Sequence, residues 1–201
     1  MKHICFFLGL LMLAGSAAAQ TKIKTMDLGH IISDSTSINK ELGAKLGLGS
    51  VNASSSVIEI RLYSNIGFPG TQCLVLQYDK GWKATKYKLN AKDEVVKSVL
   101  KPAGGIDAIA KAVIGYNVFS LPTQSAINAG RQMLDLSDNE IMSVQVDMSD
   151  SPCYYLQFKV STDSREYKYC DPKAYAAFYK GQHEYVDFAN ILKAFARLET
   201  R

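Results

Sequence analysis

The stretch from Ser151 to Asp171 constrains the fold more than any other part of the chain, because its pattern is that of an antiparallel hairpin. Two segments rich in Tyr, Phe and Val are separated by the polar residues 161–164, which are typical of a turn. Alternate residues point to opposite sides of a strand, so Leu156 and Phe158 share one side while their neighbours share the other. We therefore predict a hairpin with a core side and a solvent-exposed side.

Further strands and one helix are predicted from the same kind of pattern. Alternating apolar residues favour strands at 57–63 and 142–148, and a second hairpin with strands at 73–78 and 82–89. Apolar residues at helical spacing predict a helix at 106–113, with glycines on both sides.

The chain closes with two predicted helices. Asp171 followed by Pro172 is a typical helix start, with the Asp side chain as N-cap and Pro in the first turn. From Glu184 onward, an apolar stripe predicts a helix that lies across the sheet: Tyr185, Phe188, Ala189, Leu192, Phe195 and Ala196. The expected fold class is α+β, an antiparallel twisted sheet built from two hairpin units with helices packed on one face.

The two hairpins resemble each other in sequence. Placing 73–78 over 153–158 without a gap matches Cys, Leu and Gln, and it also superimposes a Tyr-Lys pair further along. The alignment fits an internal duplication, with halves at 57–122 and 138–201, and coincidence equally well, since these residue types recur in strands. In both cases residues 57–201 are expected to form a single domain.

Residues 1–19 have the pattern of a secretory signal peptide. A basic start, an apolar middle and a run of small residues indicate cleavage after Ala19. The apolar run is shorter than the ~20 residues that a membrane anchor needs, and no later stretch is apolar enough to span a bilayer. We expect a soluble exported protein, periplasmic or secreted, whose residues 20–56 form an arm with a short helix at 38–46.

The charge of the mature chain argues against nucleic acid as a partner. Removal of Lys2 with the signal peptide leaves 22 basic and 19 acidic residues, a net charge of +3. No cluster of Lys and Arg in the sequence marks a phosphate-binding surface.

Three cysteines remain after removal of Cys5. Cys153 and Cys170 flank the same hairpin and are the slightly favoured disulfide pair, although a loop centred on Thr162 and Asp163 would require a slip or bulge in the strands. Cys73 with Cys153 is the rival pair, because the two are equivalent if the hairpins are related.

A family resemblance rests on residues 167–172, Tyr-Lys-Tyr-Cys-Asp-Pro, which end a Tyr-rich hairpin and precede a helix with an aromatic stripe. This arrangement is similar to a domain in small exported bacterial proteins of uncharacterised function. The similarity covers roughly the second half of the mature chain. It implies no activity, cofactor or catalytic residue.

Few residues are candidates for catalysis. His183, Glu184 and Asp187 resemble the zinc motif H-E-x-x-H, with Asp in place of the second His. Acidic residues at the start of a helix are common without a metal, so His183 and Asp187 are weak metal candidates and no cofactor is expected.

Binding is the favoured class of function. Tyr63, Tyr155, Tyr167 and Tyr169 could lie on an exposed sheet face, where aromatic rings make good contacts. The leading hypothesis is a non-enzymatic module that presents an open sheet face or an edge strand to a protein partner. A carrier of a small apolar ligand between sheet and helices is the alternative, and a metal-dependent hydrolase ranks third.

Overall fold

A six-stranded antiparallel sheet forms the centre of the structure, a computed structural model that describes residues 40–66, 70–129, 152–179 and 181–200. The strands are β1 (Ile58–Ser64), β2 (Gln72–Tyr78), β3 (Trp82–Leu89), β4 (Val95–Val99), β5 (Cys153–Val160) and β6 (Asp163–Cys170). They lie side by side in the order β4-β3-β2-β1-β5-β6. The predicted α+β class with an antiparallel sheet is confirmed.

Five short helices surround the sheet. They are α1 (Lys40–Lys45), α2 (Ile106–Gly115), α3 (Gln124–Ala129), α4 (Pro172–Phe178) and α5 (His183–Ala196), with single 3-10 turns at Val51–Ala53 and Arg197–Glu199. The predicted start of α4 is confirmed, because Asp171 Oδ1 accepts a hydrogen bond from Ala174 N at 3.4 Å. The strand predicted at 142–148 lies outside the described residues.

The main core lies between the sheet and the helices α2 and α5. Ile60 on β1 pairs with Leu76 on one side and Phe158 on the other, and all three are fully buried. The rings of Tyr169 and Phe188 stack with their centroids 4.2 Å apart. Each such side chain contributes roughly 1.5–3 kcal/mol when buried. Side chains therefore occupy this interface, as the alternating pattern of the strands requires.

The opposite face of the sheet is also covered, contrary to the expectation that helices pack on one face only. Leu42 of α1 and Leu46 just after it are buried against Tyr63, Cys73 and Val75. The arm thus forms a small second core over β1 and β2. The expectation of a solvent-exposed side for the β5–β6 hairpin is wrong at its centre. The side chains of Gln157 and Glu166 on that side are buried, and Gln157 Nε2 donates a hydrogen bond to Glu166 Oε2 at 3.0 Å.

The disulfide joins Cys153 and Cys170. The turn consists of Ser161 and Thr162, so the two cysteines lie directly opposite each other and no slip or bulge is needed. The turn thus lies one residue earlier than the predicted centre at Thr162 and Asp163, and its first residue, Ser161, adopts the left-handed conformation with φ of 55°. Cys73 is a free, buried thiol.

The two hairpins differ in register. A three-residue loop joins β2 to β3, whereas a two-residue loop joins β5 to β6. As a result Cys73 lies opposite Tyr87, while the aligned Cys153 lies opposite Cys170. The ungapped sequence alignment is therefore not reproduced in the strand pairing.

Candidate functional site

The backbone groups at the two edges of the sheet differ in their hydrogen-bond partners. At the β6 edge, the side chain of Gln124 bonds the backbone of Cys170 twice, accepting from its N–H at 2.8 Å and donating to its carbonyl at 3.2 Å. The hydroxyl of Tyr167 donates to the carbonyl of Val118 at 2.7 Å, which holds the same loop against the strand. The contacts with Gln124 satisfy the outward-facing backbone groups at the C-terminal end of β6. At the other edge, β4 pairs with β3 alone among the described strands.

β4 is held in place by the turn that precedes it. The side-chain oxygen of Asn90 accepts hydrogen bonds from the N–H groups of Lys92 and Glu94, at 2.8 and 2.9 Å. Asp93 takes the left-handed conformation that such a turn needs, with φ of 57°. The sequence analysis missed this strand because all five of its residues are exposed, which leaves no apolar alternation. The signal available was Asn90 and Asp93 in front of two valines.

The hydrogen bonding of β4 shows which of its backbone groups face away from the sheet. Leu100 N donates to Ala84 O at 2.9 Å, so every second residue counted back from Leu100 bonds to β3 in an antiparallel ladder. The residues between them direct their N–H and C=O groups to the free edge. They are Val95, Lys97 and Val99.

The side chains of this edge strand are unusually apolar for their exposure. Val95, Val96 and Val99 are 42%, 48% and 70% exposed. Natural edge strands are generally short, charged or covered, since an open edge invites pairing with another strand. Here Lys97 is the one charged residue of β4, and its ammonium lies 5.4 Å from the ring centre of Tyr87.

Positive charge is concentrated around this edge. Residues 82–99, which form the β3–β4 hairpin, include five lysines and two acidic residues, a net charge of +3. The full sequence carries a net charge of +4. The hairpin therefore accounts for most of the excess positive charge, and its field favours an acidic ligand.

A groove of about 600 Å³ lies beside the edge, on the helix side of β3 and β4. Gly70, Val96 and Ser98 line it together with the side chains of Lys86 and Lys88. The Lys86 ammonium forms a salt bridge with Glu199, just after α5. Lys88 has no ion-pair partner in the part of the chain that the structure describes.

The tyrosines predicted as binding residues do not form an exposed patch. Tyr63, Tyr167 and Tyr169 are buried, and Tyr155 is partly exposed. The hydroxyl of Tyr63 donates to Gln157 Oε1 at 3.0 Å, across to the neighbouring strand. The expected exposure of these three tyrosines is thus wrong, because their rings fill the cores and their hydroxyls bond internal acceptors.

A buried polar network lies beneath the arm on the second face. Arg61 pairs with the Glu59 carboxylate and donates from Nη1 to the carbonyl of Gly49 at 2.6 Å. Gln77 Nε2 donates to Glu59 Oε2 at 2.8 Å. The bond from Arg61 to Gly49 therefore ties the arm to the sheet. Removal of either partner of the buried Arg61–Glu59 pair would leave an uncompensated charge.

The free thiol is unsuited to nucleophilic catalysis. Cys73 is fully buried under α1, and burial raises the pKa of its thiol well above the ordinary value of 9.0. The thiolate is the reactive form of cysteine. Cys73 therefore serves as a packed side chain of the second core.

The weak metal candidates are not brought together with further ligands. Asp187 Oδ2 accepts a hydrogen bond from Asn117 Nδ2 at 2.9 Å, and His183 is exposed at the start of α5. Within the described ranges, no group of three His, Cys, Asp or Glu side chains is placed to hold a metal ion. The geometry offers the hydrolase hypothesis no support.

Comparison of this chain with protein-family models, with curated proteins and with solved structures gave no match. No helix in the described ranges is long and apolar enough to cross a membrane. The most distinctive feature of the described ranges is the basic and apolar edge at β4, where no strand beyond β3 is paired.

Proposed function

We propose that the protein is an exported interaction module that binds an extended segment of another protein by adding it as a further strand beside β4. The outer edge of β4, which pairs with no further strand among the residues that the structure describes, is the observation that supports this function. Three of its five residues direct their backbone N–H and C=O groups away from β3, and three of the five are exposed valines. Strand addition satisfies such backbone groups through main-chain hydrogen bonds and leaves alternate side chains to determine specificity.

The contrast between the two edges supports the assignment. At β6 the loop with Gln124 satisfies the edge residue Cys170 on both its N–H and its C=O group. The chain thus satisfies the backbone groups at one end of that edge. Asn128, which accepts a hydrogen bond from Tyr185, and Pro152, which accepts one from Asp171, lie on the β6 side of the sheet, five strands from β4.

The partner is a different protein rather than a second copy of this chain. Two β4 strands paired with each other would bring together two hairpins that each carry a net charge of +3. Like charges on directly opposed strands are destabilising. In an antiparallel pairing centred on Lys97, the two ammonium groups would face each other.

Export is part of the proposal. Disulfides such as Cys153–Cys170 persist in oxidising compartments, outside the cytosol. The pattern of residues 1–19 supports secretion by a cleaved signal peptide. Both observations support a periplasmic or extracellular site of action.

The carrier alternative gains no support from the described core. The ring of Phe119 meets Phe158 edge-on at 5.1 Å, and Tyr169 stacks on Phe188, so side chains occupy the gap between sheet and helices.

The proposal can be tested with a displayed library of short peptides in which valine alternates with randomised residues. Selection on the mature wild-type protein is expected to enrich peptides that bind at β4. Lys97→Pro is the matched probe, because it removes an N–H group that points away from the sheet and so leaves the fold intact while blocking an added strand. Phe178→Ala, at an exposed apolar side chain distant in sequence, is the control.

Enriched peptides should bind the wild type and Phe178→Ala equally and should lose binding to Lys97→Pro. Amide hydrogen exchange then reports the site directly, since bound peptide should protect the N–H groups of Val95, Lys97 and Val99. Peptides that bind Lys97→Pro as tightly as the wild type, or a selection that enriches nothing, would contradict strand addition.

A further inference from the structure

We infer that the partner strand is acidic and that the groove beside β4 receives one of its carboxylate side chains, which pairs with Lys88. This inference rests on the proposed function and names the chemistry of the partner. It follows from the position of the groove, the charge of its lining and the existing contact of the neighbouring Lys86.

The register of the sheet determines which side chains of an added strand reach the groove. Val96 and Ser98 project to the helix side of β4, opposite Lys88 and Lys86 on β3. An added strand would place every second side chain on that same side. Each of these side chains would lie ~7–8 Å from its diagonal neighbour on β4. Those side chains enter the groove, while the intervening ones lie beside Val95 and Val99 on the other face.

The lining of the groove matches a side chain with an apolar stem and a negative end. Val96, Gly70 and the methylene groups of the lysines provide apolar contact, and the Lys88 ammonium provides the charge. Glutamate has both features, since its two methylene groups can lie against the valine while its carboxylate reaches the lysine.

The protein already makes this kind of contact one position along β3. Lys86, two residues before Lys88 and on the same side of the strand, forms a salt bridge with Glu199 at the end of the helical layer. No described acidic side chain forms a salt bridge with Lys88. A partner carboxylate in the groove would continue the row of ion pairs across the edge of the sheet.

A second copy of the chain does not supply this group. β4 has the sequence Val-Val-Lys-Ser-Val and no acidic residue, so its pairing with another β4 would place valine and serine beside the groove. The charge of the hairpin and the composition of β4 therefore agree that the occupant is an acidic segment of another protein.

Two synthetic peptides test the inference on the full mature protein. In one, valine alternates with glutamate, and in the other, valine alternates with glutamine. Their dissociation constants are measured by fluorescence anisotropy at low salt with the wild type, with Lys88→Gln, with Lys97→Gln and with Lys83→Gln. Lys97→Gln tests the opposite face of the edge, because Lys97 pairs with Tyr87, between Lys86 and Lys88 on β3. Lys83 is the matched control, because it is an exposed lysine of β3 outside the residues that pair with β4, and its variant should bind both peptides like the wild type.

We expect the glutamate peptide to bind the wild type more tightly than the glutamine peptide. Lys88→Gln should weaken the glutamate peptide by about two- to fivefold, the usual effect of an exposed ion pair, and leave the glutamine peptide unchanged. Lys97→Gln should keep the preference for glutamate.

Failure of this inference is distinguishable from failure of the proposed function. If both peptides bind equally, protect the β4 amides and are blocked by Lys97→Pro, strand addition stands and the acidic preference is refuted. If the preference for glutamate survives Lys88→Gln but disappears in Lys97→Gln, the carboxylate lies on the other face. If neither peptide binds, both proposals fail.

Discussion

Leu46→Ala should open the N-terminal arm without unfolding the sheet, and the free thiol of Cys73 reports that opening. Leu46 and Cys73 are both fully buried in the small core on the second face. In the described part of the arm, Leu42 and Leu46 are the buried apolar side chains of this core, and Gly49 accepts a hydrogen bond from Arg61. Segments with little buried surface open locally at lower free energy than the whole fold.

The size of the effect follows from the burial of Leu46. Truncation of a fully buried leucine to alanine costs about 2–5 kcal/mol. Each 1.4 kcal/mol is a factor of ten in an equilibrium constant, so even the lower value makes arm opening ~30 times more frequent. The rate at which a thiol reagent modifies Cys73 should rise by at least that factor.

The assay is the rate at which a thiol reagent modifies folded protein produced from Gln20 onward, without reductant. Cys153 and Cys170 are joined in the disulfide, so Cys73 is the one thiol available. Leu156→Ala is the matched control, because Leu156 is equally buried but packs in the main core on the helix side.

Local opening predicts fast modification of Leu46→Ala and a wild-type rate for Leu156→Ala. Urea unfolding of both variants shows whether their global stabilities are lowered to a similar extent. Equal acceleration in the two variants would mean that the reagent reaches Cys73 only by global unfolding. No acceleration in Leu46→Ala would contradict the inference that the arm shields Cys73 from solvent.

Two further predictions concern stability. Reduction of the Cys153–Cys170 bond, which closes a loop with a sequence separation of 17, should lower the free energy of unfolding by about 3 kcal/mol in urea titrations with and without reductant; a change below ~1 kcal/mol would contradict this. Burial and the nearby Tyr169 raise the pKa of Tyr167 well above its ordinary value of 10.0. The contribution of the neutral Tyr167 hydroxyl to the free energy of unfolding is therefore complete below about pH 10, and it is lost as the pH rises above about 10. Urea unfolding at pH 8 and above pH 10 should therefore show a steeper loss for the wild type than for Tyr167→Phe, and equal losses would show that this tyrosine is not responsible.

The sequence alone predicted the elements whose residues alternate or repeat at a single period. β1, the two hairpins and the capped start of α4 were found because a strand with one side in the main core shows the two-residue period, and because Asp171-Pro172 is a local signal. The α+β class follows from those elements, since an apolar sheet face needs helices to cover it.

Tertiary structure alone decided what covers the second face and which edge remains open. The period of a strand separates its two sides, but it does not show whether a distant segment buries the polar side. Tyr63 and Gln157 are 94 residues apart and bond each other in the folded protein, so no local pattern announces their burial. β4 carries no periodic signal because both its sides are exposed. The position of β4 at the edge of the described sheet, on which the proposed function rests, follows only from the order in which the strands assemble.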